Sequence, residues 1–448
     1  MTYPVSMPFL LEGWVDDAPN VAADGLCLDA DSVEPGQAYV AVPDRRLKAI
    51  ESAKTAISRG ACVLIHDKNT RFPRLGVPAV AVPNLKQRIS ALAARFYRHP
   101  VEQLTTVGIA GSSGRTSTAH YLAQSWQRVS GGAGLIGESG QGPFKALDVS
   151  GELPGDAVSL QRTLSQCVGQ GVEMLAMEVL PQFVKKGWTD DVGFEVAVFT
   201  GLRNNHHGGR DAAESDEQAV RHLFTTCHPR FAVVNHDEVE GKTLTRLIAE
   251  GTQVLTFGTN GSTELHGSVL DMSSAGMSIS IASPWGGGEL RTGLLGRNNL
   301  SNLLAAAGTL ALLGMPWNRV MHQLEIMSAA PGRMSCIGGE PGQPAAVIDH
   351  AQTPEALEEA LTTLRSHLHG RLYCVLGNSN SWQQEMRQVA ESYSDHVFLA
   401  SVAGRSETIR RVLNESGRGD IVLFAGTGHG DWRRDGEAAI RDLMEDAA

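Results

Sequence analysis

Val107-Gly108-Ile109-Ala110-Gly111-Ser112-Ser113-Gly114-Arg115-Thr116-Ser117-Thr118 decides how this chain is read. An apolar run enters Gly111, two serines follow, then Gly114, and helix-like sequence begins near Thr116. A strand, a glycine-rich turn and a helix in that order present backbone N–H groups and a helix N-terminus to a phosphate. The pattern asks for a lysine after the second glycine, to reach the β- and γ-phosphates, and then a hydroxyl residue to hold Mg²⁺. Thr116 supplies the hydroxyl, and Arg115 stands in the lysine's place. A guanidinium keeps the positive charge but is a wide planar fork rather than a compact ammonium on a thin stem. The expectation is that Arg115 extends to solvent from an empty loop. The alternative is a repurposed phosphate clamp.

Outward from the loop, strands alternate with helices. Leu104–Ile109 leads in and Thr116–Arg128 follows as a helix. Leu160–Gln170 reads as helix, and Met174–Val179, Val196–Thr200 and Phe231–Asn235 read as strands. Such alternation predicts a mainly parallel sheet. Leu265–Leu270 and Met277–Ala282 alternate with period two, and Pro284-Trp285-Gly286-Gly287-Gly288 has turn chemistry, which predicts an antiparallel insertion. Asn298–Leu313 is a helix with small residues. On the N-terminal side, Ala38–Val42, Cys62–Ile65 and Val77–Val82 are strand candidates, with helices at Leu47–Arg59 and Leu85–Tyr97. Beyond Ala330-Pro331-Gly332-Arg333, which has the composition of a hinge, strands at Ala345–Ile348, Leu372–Leu376, His396–Ala400 and Ile421–Phe424 alternate with helices at Pro354–Leu368, Gln384–Tyr393 and Ser406–Ser416. That pattern suggests a doubly wound sheet. The expected organisation is a small α/β unit at 1–99, a central P-loop-type unit at 100–330 and a Rossmann-like unit at 331–448, near the rough 150 residues per domain that 448 residues suggest.

A net charge of −11 without a basic block argues against nucleic acid or an anionic membrane as partner. The six cysteines are scattered without a Cys-x-x-Cys pair and read as buried thiols of a reducing compartment. With neither a signal peptide nor an apolar run of about 20 residues, the expectation is a cytoplasmic protein.

Taken in order, these landmarks resemble the Mur ligase family, which makes amide bonds in bacterial cell-wall precursors through an ATP-derived acyl-phosphate. The branch most similar is the UDP-N-acetylmuramoyl-tripeptide synthetases. Leu28–Gly36 resembles a first-domain signature, Arg88–Tyr97 the segment just before the ATP loop, Ala176–Val179 the metal-binding strand, Phe199–His206 a loop after it, and Gly296–Asn302 an adenine-side helix start. Gly332–Met334, Asp349–Pro354 and Ala425–His429 resemble landmarks of the third domain. The resemblance implies ATP and Mg²⁺ as cofactors. It places Gly111, Ser112, Ser113, Gly114 and Thr116 on the phosphates, and Asn299, Arg333 and Asp349 on the rest of the nucleotide. It gives Thr116, Glu178 and His206 to the metal, and makes Arg115, Glu178 and His206 the catalytic positions. Each nucleotide residue also has a plain structural role open to it: Asn299 as a helix cap, Arg333 as a partner of a surface carboxylate, Asp349 as a turn residue at a strand end.

Departures from the family pattern accompany the match. The lysine whose carbamate holds a second metal aligns with Val220, and the neighbouring Arg221, which stays protonated, cannot form that carbamate. The Ser-Arg pair that meets the uridine nucleotide reads Ala30-Asp31, which places an anion where a diphosphate would lie. The loop after Val42 is short, at Pro43-Asp44-Arg45-Arg46. The Thr-Thr pair reads Glu152-Leu153, and Ser-Ser-His reads Leu180-Pro181-Gln182. The amino-acid clamp Asp-Asn-Pro-Arg has no counterpart around Ala400–Arg405, and Gly430 replaces a glutamate that holds the amine. Two opposed charges for a zwitterion are thus missing together. Changed pockets are expected of a new substrate, but changed phosphate-handling residues are not. The sequence therefore favours a non-catalytic paralogue that binds a nucleotide or a cell-wall-precursor-like molecule, or acts on a protein partner. An active amide ligase with another substrate pair is the second expectation, and a generic P-loop NTPase the third, disfavoured for want of a Walker-type aspartate motif.

Overall fold

The computed structural model describes residues 4–42, 46–150, 153–202, 209–339, 343–377, 383–400, 405–425 and 440–442. Three main sheets follow one another along the chain. The first is parallel, in the order Gly25–Cys27, Gln37–Ala41, Val63–Asp67 and Ala79–Val82. Helix Leu85–Phe96 buries Leu85, Leu92, Ala93 and Phe96 against it.

The central sheet has ten strands. Thr105–Ala110 runs parallel between Val196–Phe199 on one side and Met174–Glu178 on the other. Phe231–Asn235 and Gln253–Gly258 extend the first side, and Ala133–Gly137 the second. Most residues of these strands are apolar because both faces are covered. Alternate residues separate cleanly. Val107, Ile109, Ala176, Val198 and Val233 pack beneath helices Arg115–Val129 and Arg297–Leu312, while Leu175, Met177, Ala197, Phe199 and Val234 face Leu164 of helix Ala157–Gly169, with Leu223 and Phe224. The small residues of Arg297–Leu312 let it press onto the sheet: a Cβ at Gly308 would stand 2.6 Å from the Leu255 side chain.

Three antiparallel strands, Leu265–Ser273, Gly276–Ser283 and Gly286–Thr292, extend the sheet at one edge. This corrects the reading of Pro284–Gly288 as turn. Pro284 and Trp285 alone make the reversal, fastened by the Ser283 hydroxyl donating to Gly286 O at 2.6 Å, and the glycines run on as strand. Trp285 stacks on Trp317 with ring centroids 5.9 Å apart. At the opposite edge lies the short strand Gly140–Pro143.

The third sheet pairs Ala345–Ile348, Ile421–Ala425, Leu372–Gly377 and His396–Ala400 in parallel, with Ser335–Gly338 antiparallel at one edge. Side chains join the units. Arg162 donates to the Tyr97 hydroxyl at 3.0 Å and to Leu26 O at 2.9 Å. His367 accepts the Gly296 N–H at 2.8 Å, and Asn298 donates to Glu359 at 2.6 Å. The cysteines are free thiols; Cys27, Cys167 and Cys374 are buried, the other three partly so. Among the described residues no helix is long and apolar enough to cross a membrane.

Candidate functional site

The glycine-rich turn leaves the C-terminal end of the middle strand, where the sheet's order reverses. Ligands of open parallel sheets collect at such a point. The turn is held open by its glycines. Gly111 has φ +142° and Gly114 +79°. A Cβ at Gly111 would lie 2.5 Å from Thr200 Oγ1, and one at Gly114 2.3 Å from Asn302 Oδ1. Thr200, at the end of the neighbouring strand, donates its hydroxyl to Ser113 O at 2.6 Å, and Ser112 N–H donates to Gly201 O at 2.8 Å. Gly114 then caps helix Arg115–Val129.

Arg115, the first residue of that helix, does not extend to solvent, which corrects the expectation drawn from its shape. Its side chain is 15% exposed and turns back under the loop. One terminal nitrogen donates to Gly111 O and stands 3.5 Å from Asp216 Oδ1, while Nε stands 3.6 Å from Glu178 Oε2. The physical reason is Glu178. It is fully buried at the end of its strand, and a buried carboxylate draws any cation within reach.

Glu178 is the centre of the arrangement. Its Oε2 also accepts the Thr116 hydroxyl at 3.2 Å, and its Oε1 accepts the Glu138 N–H at 2.9 Å. Gly137 makes room for it, since a Cβ there would stand 2.2 Å from Oε1. Burial pushes the Glu178 carboxyl above its ordinary range, and the Arg115 charge works against that rise.

A cleft of 290 Å³ opens above the loop, lined by Ser112, Ser113, Asn299, Asn302, Arg333 and Asp349 among others. It lies near the lower end of the roughly 300–1,000 Å³ of small-molecule pockets. The structure thus brings Gly111, Ser112, Ser113, Gly114, Arg115, Thr116, Glu178, Asn299, Arg333 and Asp349 to one neighbourhood. Asn299 is buried on the first turn of its helix, whose N-cap is Gly296; it donates to Leu295 O at 2.8 Å and accepts from the Tyr121 hydroxyl at 2.8 Å. Arg333 pairs with Glu138 Oε2 at 2.6 Å. Asp349 accepts the Met334 N–H at 2.9 Å, and burial pushes its carboxyl up to about 6 against the pull of Arg333. Val220 is buried with Leu223 and Phe224 in the apolar core of the sheet's second face. His206, Glu152, Pro43–Arg45, 401–404 and 426–430 lie outside the described residues.

Sequence reasoning missed two members. Asp216 sits four residues before Val220 on helix Gly209–Arg221, and hence on the same face of it; that spacing was the available signal. Glu138 follows a Gly-ended strand and touches both Glu178 and Arg333. Nothing in its sequence context marked it.

ATP with Mg²⁺ is the group implied here. The loop's backbone fits a phosphate, because its glycines keep side chains out of the cradle. The divalent cation does not fit: the Arg115 guanidinium is already seated against the same Glu178 oxygen that the Thr116 hydroxyl meets. Among the described residues no group of three or more His, Cys, Asp or Glu is placed to hold a metal.

Known proteins share this framework. The model of the Mur ligase middle domain matches residues 109–310, and that of the Mur ligase glutamate ligase domain matches 332–447. The UDP-N-acetylmuramoyl-L-alanyl-D-glutamate–2,6-diaminopimelate ligase of Coxiella burnetii is 31% identical, with 92% of this chain and 91% of that protein covered. The ligase of the same name from Xylella fastidiosa is 31% identical over 96% and 94%. A solved structure of a 2,6-diaminopimelate ligase superposes with a TM-score of 0.77 at 23% identity, covering 99% of each chain. MurF ligase from Thermotoga maritima in complex with ADP superposes with a TM-score of 0.64 at 17% identity, over 95% and 98%. Sheet order, loop position and these matches along nearly the whole chain agree: the chain belongs to the Mur ligase family.

Proposed function

We propose that this chain is a Mur ligase relative that has lost phosphoryl transfer and serves cell-wall precursor metabolism as a binding or regulatory protein. Its ligand is a nucleotide or a precursor-like small molecule. The reading rests above all on the placement of Arg115. Acyl-phosphate chemistry needs cations aimed at the transferring phosphoryl group, and here the cation after Gly114 is turned into the protein, onto Glu178, Asp216 and Gly111 O. Val220, which takes the place of the carbamylated lysine by resemblance, is an apolar core residue. Loss of one phosphoryl clamp costs about 3–4 kcal/mol in the barrier, or two to three decades in rate.

The test is ADP release by the purified chain with ATP, Mg²⁺, the UDP-linked muramoyl dipeptide and diaminopimelate or lysine. No turnover above background is expected, and ligation at rates typical of a working ligase would defeat the reading. One observation favours a second reading, an active ATP-dependent amide ligase with a different acid and amine: the loop keeps its phosphate-cradling backbone at Gly111 and Gly114. ATP consumption on a panel of carboxylates and amines would establish it.

A further inference from the structure

Arg115 is met by oxygens of Glu178, Asp216 and Gly111, and the Thr116 hydroxyl meets the same Glu178 oxygen. In an octahedral Mg²⁺ site with bonds of roughly 2.0–2.1 Å, neighbouring ligand oxygens stand about 3.0 Å apart. Thr116 Oγ1 and Glu178 Oε2 are 3.2 Å apart. The nitrogens of Arg115 stand 3.6 Å from that Glu178 oxygen and 3.5 Å from Asp216 Oδ1, and a terminal nitrogen also donates to Gly111 O. Two carboxylates from different elements, one at a strand end and one on helix Gly209–Arg221, thus converge on one tethered cation.

We infer that the Arg115 guanidinium is a built-in replacement for a divalent cation, so that this protein carries its own charge at the site and takes any ligand there without metal. The same geometry has a converse: removing the guanidinium uncovers a divalent-cation site made by Thr116, Glu178 and Asp216. This extends the non-catalytic reading and shares with it only the position of Arg115.

Mn²⁺ titration of the full chain, followed by the electron paramagnetic resonance signal of free Mn²⁺ with no nucleotide present, tests it apart from turnover. Wild type is expected to bind no Mn²⁺ that depends on Glu178. Arg115→Ser is expected to bind one equivalent at least about tenfold more tightly than wild type, and to gain several degrees in thermal midpoint with Mn²⁺. The double variant Arg115→Ser/Glu178→Gln loses both gains. Should Arg115→Ser lose the native circular dichroism, Arg115→Gln, which keeps a donor toward Gly111 O, carries the same expectations. A wild-type site already filled by Mn²⁺ through Glu178 overturns the inference. So do natively folded Arg115 variants that gain no Mn²⁺. ATP turnover by wild type bears on the proposed function and leaves this titration standing.

Discussion

Replacing Arg115 by methionine isolates what the guanidinium does for the fold. The substitution keeps much of the stem and removes the charge. At about 3.6 Å and an effective dielectric of roughly 20, one pair is worth at most about 4–5 kcal/mol, less the guanidinium's own desolvation. Breaking a buried pair by deleting one partner typically costs about 3–5 kcal/mol. Glu178 keeps its bonds from Thr116 and Glu138 and can take up a proton, so about 3 kcal/mol is expected at pH 8. The pH dependence has a definite sign. Burial already raises the Glu178 carboxyl, and without Arg115 it rises further. A raised carboxylate binds extra protons in the native state, so stability falls as pH climbs from the unfolded value through the folded one. The deficit of Arg115→Met should be small at pH 5 and grow toward pH 8. Urea unfolding of wild type, Arg115→Met, Glu178→Gln and the double variant at both pH values measures it. A coupling of at least about 1.5 kcal/mol between the two positions is expected at pH 8. An equal deficit at both pH values, or no coupling, would show that Arg115 is not committed to Glu178.

Gly114→Ala forces a side chain onto φ +79° and brings its Cβ to 2.3 Å from Asn302 Oδ1; a loss of about 1–3 kcal/mol is expected by urea unfolding, and an unchanged midpoint contradicts the loop geometry. Val220→Lys, offered as restoration of the family's lysine, places an ammonium among Leu223 and Phe224 and should cost about 3 kcal/mol or more; a neutral effect on melting would mean that the position opens to water. Arg333→Met removes the pair with Glu138, whose partners are 35% and 39% exposed; screening limits the loss to less than about 1 kcal/mol, and a larger drop in melting temperature would refute that. His120 is buried and its imidazole held down to about 4 from 6.5. The native state therefore binds fewer protons than the unfolded chain between those values, and stability is lost as pH falls through them, by up to about 3 kcal/mol. His120→Gln should lose that part of the acid destabilisation, and an identical acid profile for both proteins counts against the assignment.

Much of the fold was legible because buried parallel strands are short apolar runs between breakers. Phe231–Asn235, Ala345–Ile348 and His396–Ala400 were read with the bounds the structure gives them. Strands of weak apolar character escaped: Ala133–Gly137 holds two glycines, and the edge strand Ser335–Gly338 is half polar. Gly286–Gly288 was read as turn because glycine carries no side-chain preference to betray a strand. In the site, the loop glycines and Thr116 were visible through spacing. The direction of Arg115 was not, because it depends on Glu178 and Asp216, which lie 63 and 101 residues further on (178 − 115 and 216 − 115). A side chain's choice between water and a distant carboxylate is a tertiary property, and local pattern does not encode it.

The two borders of the ten-stranded sheet bear on how this protein behaves at high concentration. One border strand is four residues long and stops at Pro143, which has no N–H to offer a newcomer. The other, Gly286–Thr292, holds the exposed charges of Glu289 and Arg291 among bare glycines. Charged side chains and prolines on such rims discourage a further strand from zipping on. A sheet this wide is thereby sealed at both margins against self-polymerisation, and substitutions that make Glu289 and Arg291 apolar would unseal the wider one.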